Sequence, residues 1–523
     1  MKTPVFLFPV AYRIAVRLRP GYEVSAGSIQ SNASSSVADV ARDTSSISFE
    51  PAIPRSAEGR LRYGIVDFEP LASLAFVANR DTPRRDDLAG LAARLRACDA
   101  ILDAWIEPRI VEPWDPAPPA GLAKSVPRLA HVQDETAAPD LLAYQEYLDD
   151  PFGIDVWFAW SLGVGGWWVS IADIEWSYRL DHRDMAQPGK LIEVLPSPDE
   201  SYRDHGCAVT GVMYGLQGDL DHPRGIVGGV FGADALYAVS ELVLGRPAGI
   251  AEGLKHLRPG DVFLLEMQTG GEGPDDLVPA DFDRSVWDVI SQATQAGIVI
   301  VLTGGNGNVD LDGPYYAEYR ARADNGAIRL GAGTKIGRHK ASFSTYGSPI
   351  HVQGTGDWSV FSTGYGDFVD YGPDDNYTSV FSGTSAAGPI VATAAVAIQS
   401  WYAIKTGGSR LTSIQMRDLL VSTGRPQGSG GHIGPLPDLR AALTRLQREL
   451  NRTAGQLRYG ILDAPSPDEI EQMRIGEADI ERLTRQAAGS RVASGDLMRL
   501  RTQLSMTRQL TERVARLRAR TEG

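Results

Sequence analysis

The sequence predicts an α/β protein with a parallel sheet and helices on both of its faces. Short apolar runs at residues 167–172, 235–239, 262–265 and 298–302 have the length and composition of buried strands. Between the last two runs, Val286, Val289, Ile290 and Ala293 recur at helical spacing, and Gly297 is a suitable helix end. Strands that are apolar throughout and alternate with helices are typical of parallel sheets covered on both sides.

A small α+β unit is predicted ahead of this sheet, over residues 1–120. Apolar side chains alternate with mostly basic ones over residues 12–19, which is the period of a half-buried strand. A helical pattern follows at residues 86–97, and a second strand at 101–111. The four prolines of residues 112–121 (EPWDPAPPAG) predict a stiff, extended segment. We therefore expect the linker to the main domain at residues 121–140.

The main domain is predicted to span residues 141–448, and a helical extension residues 449–523. Ser466, Pro467 and Glu469 form a good helix start, with Ser as N-cap and Glu three positions later. An apolar stripe lies near one face of the basic terminal helix, at Leu500, Leu504, Val514 and Leu517. Packing against the protein's own core is favoured over binding of a partner helix.

Composition and charge exclude several classes of protein. The net charge of -14 argues against nucleic acids and anionic membranes as partners. The two cysteines, Cys98 and Cys207, are too few for a disulfide framework or a zinc site. No run approaches the roughly 20 apolar residues of a membrane span. Pro9 and Arg13 interrupt the N-terminal apolar run and no cleavage site follows, which favours a cytoplasmic location and leaves secretion open.

Three side chains have settings that suit acyl transfer by an activated serine. A serine hydroxyl is a weak nucleophile that needs a base in reach and a third group to orient that base. Ser385 precedes a buried, alanine-rich helix, whose N-terminus favours a developing negative charge. Small residues follow His205 and would allow close helix packing. Asp173 ends the apolar run 167–172, where a carboxylate needs a partner.

Asn306 is the candidate donor to an oxyanion, because it lies between glycines after a buried strand. Each candidate also has an ordinary interpretation: a serine at a helix start, a structural histidine, an aspartate capping a turn, and an Asn-Gly turn. The order Asp173, His205, Asn306, Ser385 favours catalysis, since one known triad order runs Asp, His, Ser.

Four segments resemble the motifs of the subtilase family of serine proteases. Asp173 with residues 181–185 (DHRDM) resembles the segment of the acid, and residues 205–211 (HGCAVTG) resemble the segment of the base. Residues 304–306 (GGN) and 383–389 (GTSAAGP) resemble the oxyanion and nucleophile segments. The resemblance extends over residues 145–448, with Cys207 in place of the family's usual threonine.

This resemblance implies roles for particular residues. Asp173, His205 and Ser385 would form the triad, and Asn306 would donate to the oxyanion. An edge strand would pair with the substrate backbone; its residues are Met267, Gln268, Thr269, Gly270 and Gly271. Because this strand departs from the family's pattern, the side chain preferred by the primary pocket is left open.

The resemblance also implies partners and cofactors. The N-terminal unit resembles a subtilase prodomain, so it would inhibit its own catalytic domain. Calcium sites are common in the family, and residues 216–221 (LQGDLD) lie near the place of one. Their match is poor, a solvated loop is favoured, and no cofactor is expected to be required.

We therefore expect a serine endopeptidase that cuts polypeptides through an acyl-enzyme intermediate. One alternative is a catalytically silent interaction protein built on the same fold. A second question concerns the role: the missing signal peptide and the helical tail favour a processing enzyme with one client over a broad degradative protease.

Overall fold

The structure is a computed structural model, and it describes residues 12–25, 27–31, 48–55, 60–78, 84–113, 116–119, 140–185, 190–217, 224–453, 464–476, 478–480, 482 and 494–521. The predicted linker, except Asp140, lies outside these described residues, as do residues 218–221 of the possible calcium loop. The predicted domain boundaries stay predictions.

The strands of the described residues, in chain order, fall into two groups. The N-terminal unit contains β1 (Ile14–Leu18), β2 (Tyr22–Ser25), β3 (Ser28–Ser31), β4 (Ser48–Pro51), β5 (Arg62–Tyr63), β6 (Val66–Asp67), β7 (Leu74–Ala78) and β8 (Ile101–Ile106). The remainder contains β9 (Ile171–Glu175), β10 (Leu191–Leu195), β11 (Leu216–Gln217), β12 (Arg224–Val227), β13 (Leu236–Ser240), β14 (Val262–Leu265), β15 (Gln268–Gly270), β16 (Leu277–Pro279), β17 (Val299–Thr303), β18 (Ile328–Gly333), β19 (Val352–Thr355), β20 (Val360–Thr363), β21 (Val369–Asp370) and β22 (Asn376–Phe381).

The α-helices whose bounds are described follow the same order. They are α1 (Arg85–Arg96), α2 (Val156–Ser161), α3 (Arg203–Tyr214), α4 (Glu241–Leu244), α5 (Arg246–Leu254), α6 (Arg284–Gln295), α7 (Ala317–Arg320), α8 (Thr384–Thr406), α9 (Ser413–Thr423), α10 (Leu439–Thr453), α11 (Pro467–Met473) and α12 (Ser494–Thr521).

A seven-stranded parallel sheet forms the centre of the main domain. Its strand order is β10-β13-β9-β14-β17-β18-β19, and every neighbouring pair is parallel. All residues of β9, β14 and β17 are buried, as expected for central strands with cover on both faces. The predicted fold class is confirmed.

Helices cover the two faces of this sheet. On one face, α3, α8 and α10 contribute apolar side chains to the largest core cluster, together with Leu264 and Val301 of the sheet. On the other face, α5 and α6 pack on Phe263 and Ile300, and the predicted stripe of α6 is buried there. Residues 61–71 of the N-terminal unit complete this second cluster, so that unit packs directly on the main domain.

The N-terminal unit is a four-stranded antiparallel sheet in the order β4-β7-β1-β8, covered by α1. The predicted first strand and helix correspond to β1 and α1. Strand β1 is buried on both faces rather than half-buried, because Ala15 packs against Phe76 and Trp105 on the second face. The second predicted strand ends at Ile106, earlier than expected.

The C-terminal extension packs against the main domain around the end of α8. The Trp401 indole N–H donates to the Met473 carbonyl over 2.9 Å. Leu504, Leu510 and Val514 of α12 belong to the largest core cluster. The predicted stripe therefore packs against the protein's own core at Leu504 and Val514, while the side chains of Leu500 and Leu517 lie outside the described residues.

Helix α8 is long and apolar enough to cross a membrane by length and composition, contrary to the sequence expectation that no segment is. In the structure 94% of its apolar window is buried inside the protein. A core helix of this kind satisfies the same criterion.

Candidate active site

A row of polar side chains crosses the carboxyl edge of the parallel sheet. The register pairs Ser240 with Glu175, and it pairs Leu265 with both Ile174 and Leu302. Glu266 and Thr303 are each one residue further on, so they continue the row beside Glu175. All four polar residues are buried. Ligand sites of parallel α/β sheets lie at this edge.

The imidazole of His205 is bound by Glu175 and not by Asp173. Its Nδ1 lies 3.0 Å from both Oε1 and Oε2 of Glu175. The sequence-based pairing of His205 with Asp173 is therefore wrong in this structure. The Tyr178 hydroxyl lies 3.3 Å from Asp173 Oδ2, and no described residue donates to Oδ1.

The physical reason for this difference is where the strand ends. The apolar run that begins at Trp167 predicts a strand ending at residue 172, but Trp168 has a left-handed φ of 66° and β9 begins only at Ile171. Asp173 thus lies inside the strand, and Glu175 is its last residue. The alternation of side chains along a strand could have indicated Glu175. It places Asp173 and Glu175 on the same face, and Glu175 is nearer the carboxyl edge.

Burial raises the pKa values of both carboxyl groups, and their neighbours modify this effect differently. Burial, followed by the charge of Glu175, raises the pKa of Asp173 well above its ordinary value, which favours its neutral form. Burial also raises the pKa of Glu175, whereas the charge of His205 and its hydrogen bond lower it. The contact with His205 thus offsets part of the effect of burial on the Glu175 carboxylate.

Helix α3 holds His205 against β9 through a close backbone contact. His205 is the third residue of α3 and is 1% exposed. At Gly206 a Cβ atom would lie 2.2 Å from the Ser177 carbonyl oxygen, so only glycine lets the helix start approach the loop after β9. The ring of Phe381 packs edge-on to the imidazole, with centroids 5.9 Å apart.

Ser385 is the second residue of α8 and is 7% exposed. The preceding Gly383 has a φ of 87°, which is unfavourable for other residues and turns the chain sharply into the helix. The first turn of the helix directs backbone N–H groups towards this site.

The predicted oxyanion donor, Asn306, is bound by Thr384, the residue that directly precedes Ser385. Its Oδ1 accepts hydrogen bonds from the Thr384 N–H at 2.8 Å and from the Thr384 hydroxyl at 3.1 Å. Its own N–H donates to Gln268 Oε1 at 3.0 Å. These bonds fix the orientation of the Asn306 side-chain amide relative to the start of α8.

Ser385 and Glu175 line one cavity, together with Trp176, Glu241, Glu266, Met267, Gln268, Thr303 and Thr384.

The predicted substrate strand is β15 with its flanking residues. Gln268, Thr269 and Gly270 form β15, which pairs on one side with β16. Met267 precedes β15; it is buried in a core cluster and also lines the cavity of Ser385. Gly271 turns the chain towards Asp276, whose carbonyl accepts its N–H at 3.0 Å.

The other side of β15 is occupied by the protein's own chain. Residues 109–113 and 116–119, named the strap below, leave the N-terminal unit and run through the cleft. Ile110 pairs antiparallel with Thr269, and the Gly270 N–H donates to the Arg109 carbonyl at 2.8 Å. Val111 and Pro113 then line the cavity of Ser385. The sequence predicted an extended segment here but not its location.

The strap is also held beyond Ser385. The Pro116 carbonyl accepts a hydrogen bond from Trp358 Nε1 at 2.5 Å and one from the Ser382 hydroxyl at 3.3 Å. The Tyr202 hydroxyl donates to Glu112 Oε2 at 2.7 Å. The strap is thus fixed on both sides of Ser385.

Cys207 and His182 also belong to the segments that resemble the family's motifs. The thiol of Cys207 is buried and donates to Thr363 Oγ1 at 3.3 Å, and burial raises its pKa to about 12. It is therefore not a competing nucleophile. His182 is buried, and its Nε2 lies 2.9 Å from the Asn376 carbonyl oxygen.

No group of three or more potential metal ligands occurs within the part of the chain that the structure describes. Of the possible calcium loop, only Leu216 and Gln217 are described, and they form β11. Calcium binding by this segment stays a prediction.

The carboxyl edge of the parallel sheet thus brings together a buried acid, a histidine and a serine, which are the residue types of a serine hydrolase. The family model described as the subtilase family (Peptidase S8) matches residues 181–455. The chain belongs to the subtilase family and is a serine endopeptidase. The matched range includes His205, Asn306 and Ser385, whereas Asp173 and Glu175 precede it.

Solved structures similar to this chain include two proteases. Proteases from Pseudoalteromonas arctica are 18% identical over 58% of this chain and 98% of theirs, with a TM-score of 0.42. A cold-adapted subtilisin-like serine proteinase is 21% identical over 53% of this chain and 90% of its own, with a TM-score of 0.36. No curated protein sequence matches the chain.

Proposed function

We propose that this endopeptidase cuts peptide bonds with Ser385 as nucleophile, His205 as general base and Glu175 as the acid that orients the base. The observation that carries this proposal is the 3.0 Å contact of His205 Nδ1 with both carboxylate oxygens of Glu175. That contact requires the proton on Nδ1, so it leaves the lone pair of Nε2 to accept the proton of a serine. Asp173, predicted in this role, becomes a buried neighbour.

The reaction would proceed by acyl transfer in two halves. Ser385 Oγ attacks the substrate carbonyl carbon and gives its proton to His205 Nε2. The carbon–nitrogen bond then breaks as the imidazolium returns that proton to the leaving amine. Water attacks the resulting ester by the same route, which releases the acid product and restores Ser385. This chemistry needs no metal or other cofactor.

Negative charge on the substrate oxygen would be stabilised by Asn306 and by the start of α8. Asn306 Oδ1 is fixed by Thr384, so its amide group needs no reorganisation when the charge develops. Preorganised donors of this kind contribute more than flexible ones, because nothing has to be reoriented in the transition state.

The substrate backbone would add to β15 as an antiparallel strand, as Ile110 of the strap does. The N-terminal unit would then inhibit its own catalytic domain, because the strap lies where a substrate must lie. A polypeptide reaches Ser385 only when the strap is displaced or cut.

Covalent labelling with a fluorophosphonate probe tests this function in the full chain. Wild type should be labelled, Ser385→Ala should not, and Glu175→Gln should be labelled far more slowly than Asp173→Asn. Equal labelling of wild type and Ser385→Ala would remove Ser385 from the mechanism. Absence of labelling at every pH would instead favour the silent interaction protein.

A further inference from the structure

We propose that the cleft selects peptides with a glutamate at the position that Glu112 of the strap occupies, and that Tyr202 is the residue that specifies it. This inference rests on the proposed function, because it concerns the substrate of the same site. It goes further, because it names a side chain that the substrate carries.

The position of Glu112 in the cleft follows from the course of the strap. Ile110 pairs antiparallel with Thr269 of β15, and Glu112 is two residues further along the strap. Val111 and Pro113, its two neighbours in sequence, both line the cavity of Ser385. A peptide that binds as the strap does therefore places its residue at this position close to the nucleophile.

The contact at this position is made to a side chain. The Tyr202 hydroxyl donates to Glu112 Oε2 over 2.7 Å, a length typical of a strong hydrogen bond between a hydroxyl and a carboxylate. Glu112 is 9% exposed, and a buried carboxylate is costly unless it is hydrogen-bonded. An apolar side chain at this position would not form this bond.

The other contacts of the strap differ in this respect. The Gly270 N–H donates to the Arg109 carbonyl, and the Trp358 indole N–H donates to the Pro116 carbonyl. Every residue has a backbone carbonyl, so these bonds hold a peptide of any sequence. The bond from Tyr202 depends on the identity of the side chain and can therefore discriminate between peptides.

Tyr202 is positioned by the catalytic domain itself. It is the N-cap residue of α3, and its carbonyl accepts the N–H of His205 at 3.0 Å. Its φ of 63° is left-handed, a conformation that is costly for a bulky residue. Its ring packs edge-on to Trp176, with centroids 6.1 Å apart. A side chain held in this way loses little conformational freedom when it binds a substrate.

Among the side chains with an oxygen acceptor, glutamate suits this position best. Glutamine has the same length, but hydrogen bonds to charged groups contribute more than those between neutral groups. Aspartate is one methylene shorter, so its carboxylate would lie further from the Tyr202 hydroxyl when the backbone keeps its place. The chemistry of the contact therefore favours a glutamate.

Fluorescence anisotropy with labelled peptides tests the inference without requiring catalysis. The acceptor is the full chain carrying Ser385→Ala, and the probe is a peptide of residues 108–113 (PRIVEP). A second peptide carries Glu112→Met, which keeps the length of the side chain and removes its oxygens. The glutamate peptide should bind more tightly than the methionine peptide, and a third peptide with Glu112→Gln should have an intermediate affinity.

Adding Tyr202→Phe to the acceptor removes the hydroxyl and keeps the ring. It should reduce the ratio of the methionine and glutamate dissociation constants by about ten- to hundredfold, the range expected for a hydrogen bond to a charged group. This ratio is independent of how often the strap leaves the cleft, because both peptides compete with the same strap. Tyr315→Phe is the matched control: it removes a hydroxyl from a side chain that is 79% exposed, and the ratio should stay as in the parent.

Three results would overturn the inference: equal binding of the glutamate and methionine peptides, a glutamine peptide that binds as tightly as the glutamate peptide, or a preference that Tyr202→Phe leaves unchanged. Failure of Ser385 labelling in wild type would instead overturn the proposed function, and the binding ratios would still decide this inference.

Discussion

The two sides of the cleft are held in different ways. On the catalytic side, Glu175, His205 and Ser385 are almost fully buried at the ends of β9, α3 and α8. Gly206 allows the backbone of α3 to contact the backbone at Ser177 closely. On the strap side, Arg109 and Pro116 are held by hydrogen bonds to their carbonyls, which water can replace.

The difference suggests how each side of the cleft could be tested separately, under the proposal that the strap blocks access to Ser385. Displacing a catalytic group would require a close-packed core to open, which is costly. Displacing the strap would break hydrogen bonds that each contribute about 0.5–1.5 kcal/mol. Substitutions on the catalytic side should therefore change the chemical step, and those on the strap side should change access to it.

The largest effect is expected at the acid of the catalytic side. Glu175→Gln should lower kcat for a short peptide substrate by roughly 10⁴-fold, because an amide no longer stabilises the imidazolium or its correct tautomer. Asp173→Asn should change kcat by only a few-fold, since this acid already favours its neutral form. Similar losses for the two variants would contradict the assignment.

The next effect is expected at the oxyanion donor. Asn306→Ala should lower kcat by about 100- to 1000-fold with little change in KM; this magnitude comes from subtilisin itself and was not obtained from this chain. Thr384→Val is the matched variant. It removes one of the two bonds that fix Oδ1 and keeps the backbone N–H, so its loss should be much smaller. The assignment fails if Thr384→Val is the more damaging of the two.

Much of the catalytic side could be predicted from the sequence, because its motifs are local. Residues 205–211 and 383–389 each combine the reactive side chain with the glycine that its position requires. The acid could not be placed, because an apolar run shows that a strand exists but not where its last residue lies. Period two leaves Asp173 and Glu175 on one face, and the position of α3 decides between them.

The strap could not be placed from the sequence for a different reason. Four prolines indicate an extended segment, and an extended segment can be a linker or a ligand of its own chain. Its location depends on residues far away, such as Thr269 and Trp358, which are more than 150 positions further along the chain. Local composition contains no information about such contacts.

A third test concerns the close packing that the catalytic side requires. Gly206→Ala places a Cβ 2.2 Å from the Ser177 carbonyl oxygen, so α3 must move away from β9 and carry His205 with it. A displacement of about 1 Å can cost roughly 100-fold in rate. Far-ultraviolet circular dichroism and peptide hydrolysis would report the fold and the activity separately.

Gly249→Ala is the control for that substitution. It adds the same methyl group to α5, where the nearest atom is the flexible Cδ1 of Ile174 at 3.3 Å. Its activity should stay within a few-fold of wild type. If both alanine variants lose the same activity, general destabilisation explains the loss and the close contact at Gly206 has no special role.

The smallest effect is expected on the strap side and depends on pH. Glu107 precedes the strap and is buried where the N-terminal unit meets α6, with its carboxylate bound by Arg13 and by the Ser285 hydroxyl. Burial raises the pKa of Glu107 from 4.5 to about 7, while Arg13 lowers it and Asp283 raises it. Because the raised value belongs to the docked state, protonation favours docking. Docking should be tightest below pH 4.5 and weaken as the pH rises to about 7.

Glu107→Gln keeps the shape of the protonated acid, so it should abolish this pH dependence. At pH 5 the two proteins should be labelled at Ser385 by a fluorophosphonate at similar rates, and at pH 8 wild type should be labelled several-fold faster. Titration of His205 cancels in the ratio of the two rates. Glu50→Gln, at an exposed position of β4, is the control: it should be labelled at the wild-type rate at both pH values. Faster labelling of Glu107→Gln than of wild type at pH 8 would contradict this prediction. It would mean that the ion pair with Arg13 outweighs the cost of burying the charge, so that the charged carboxylate stabilises docking of the strap.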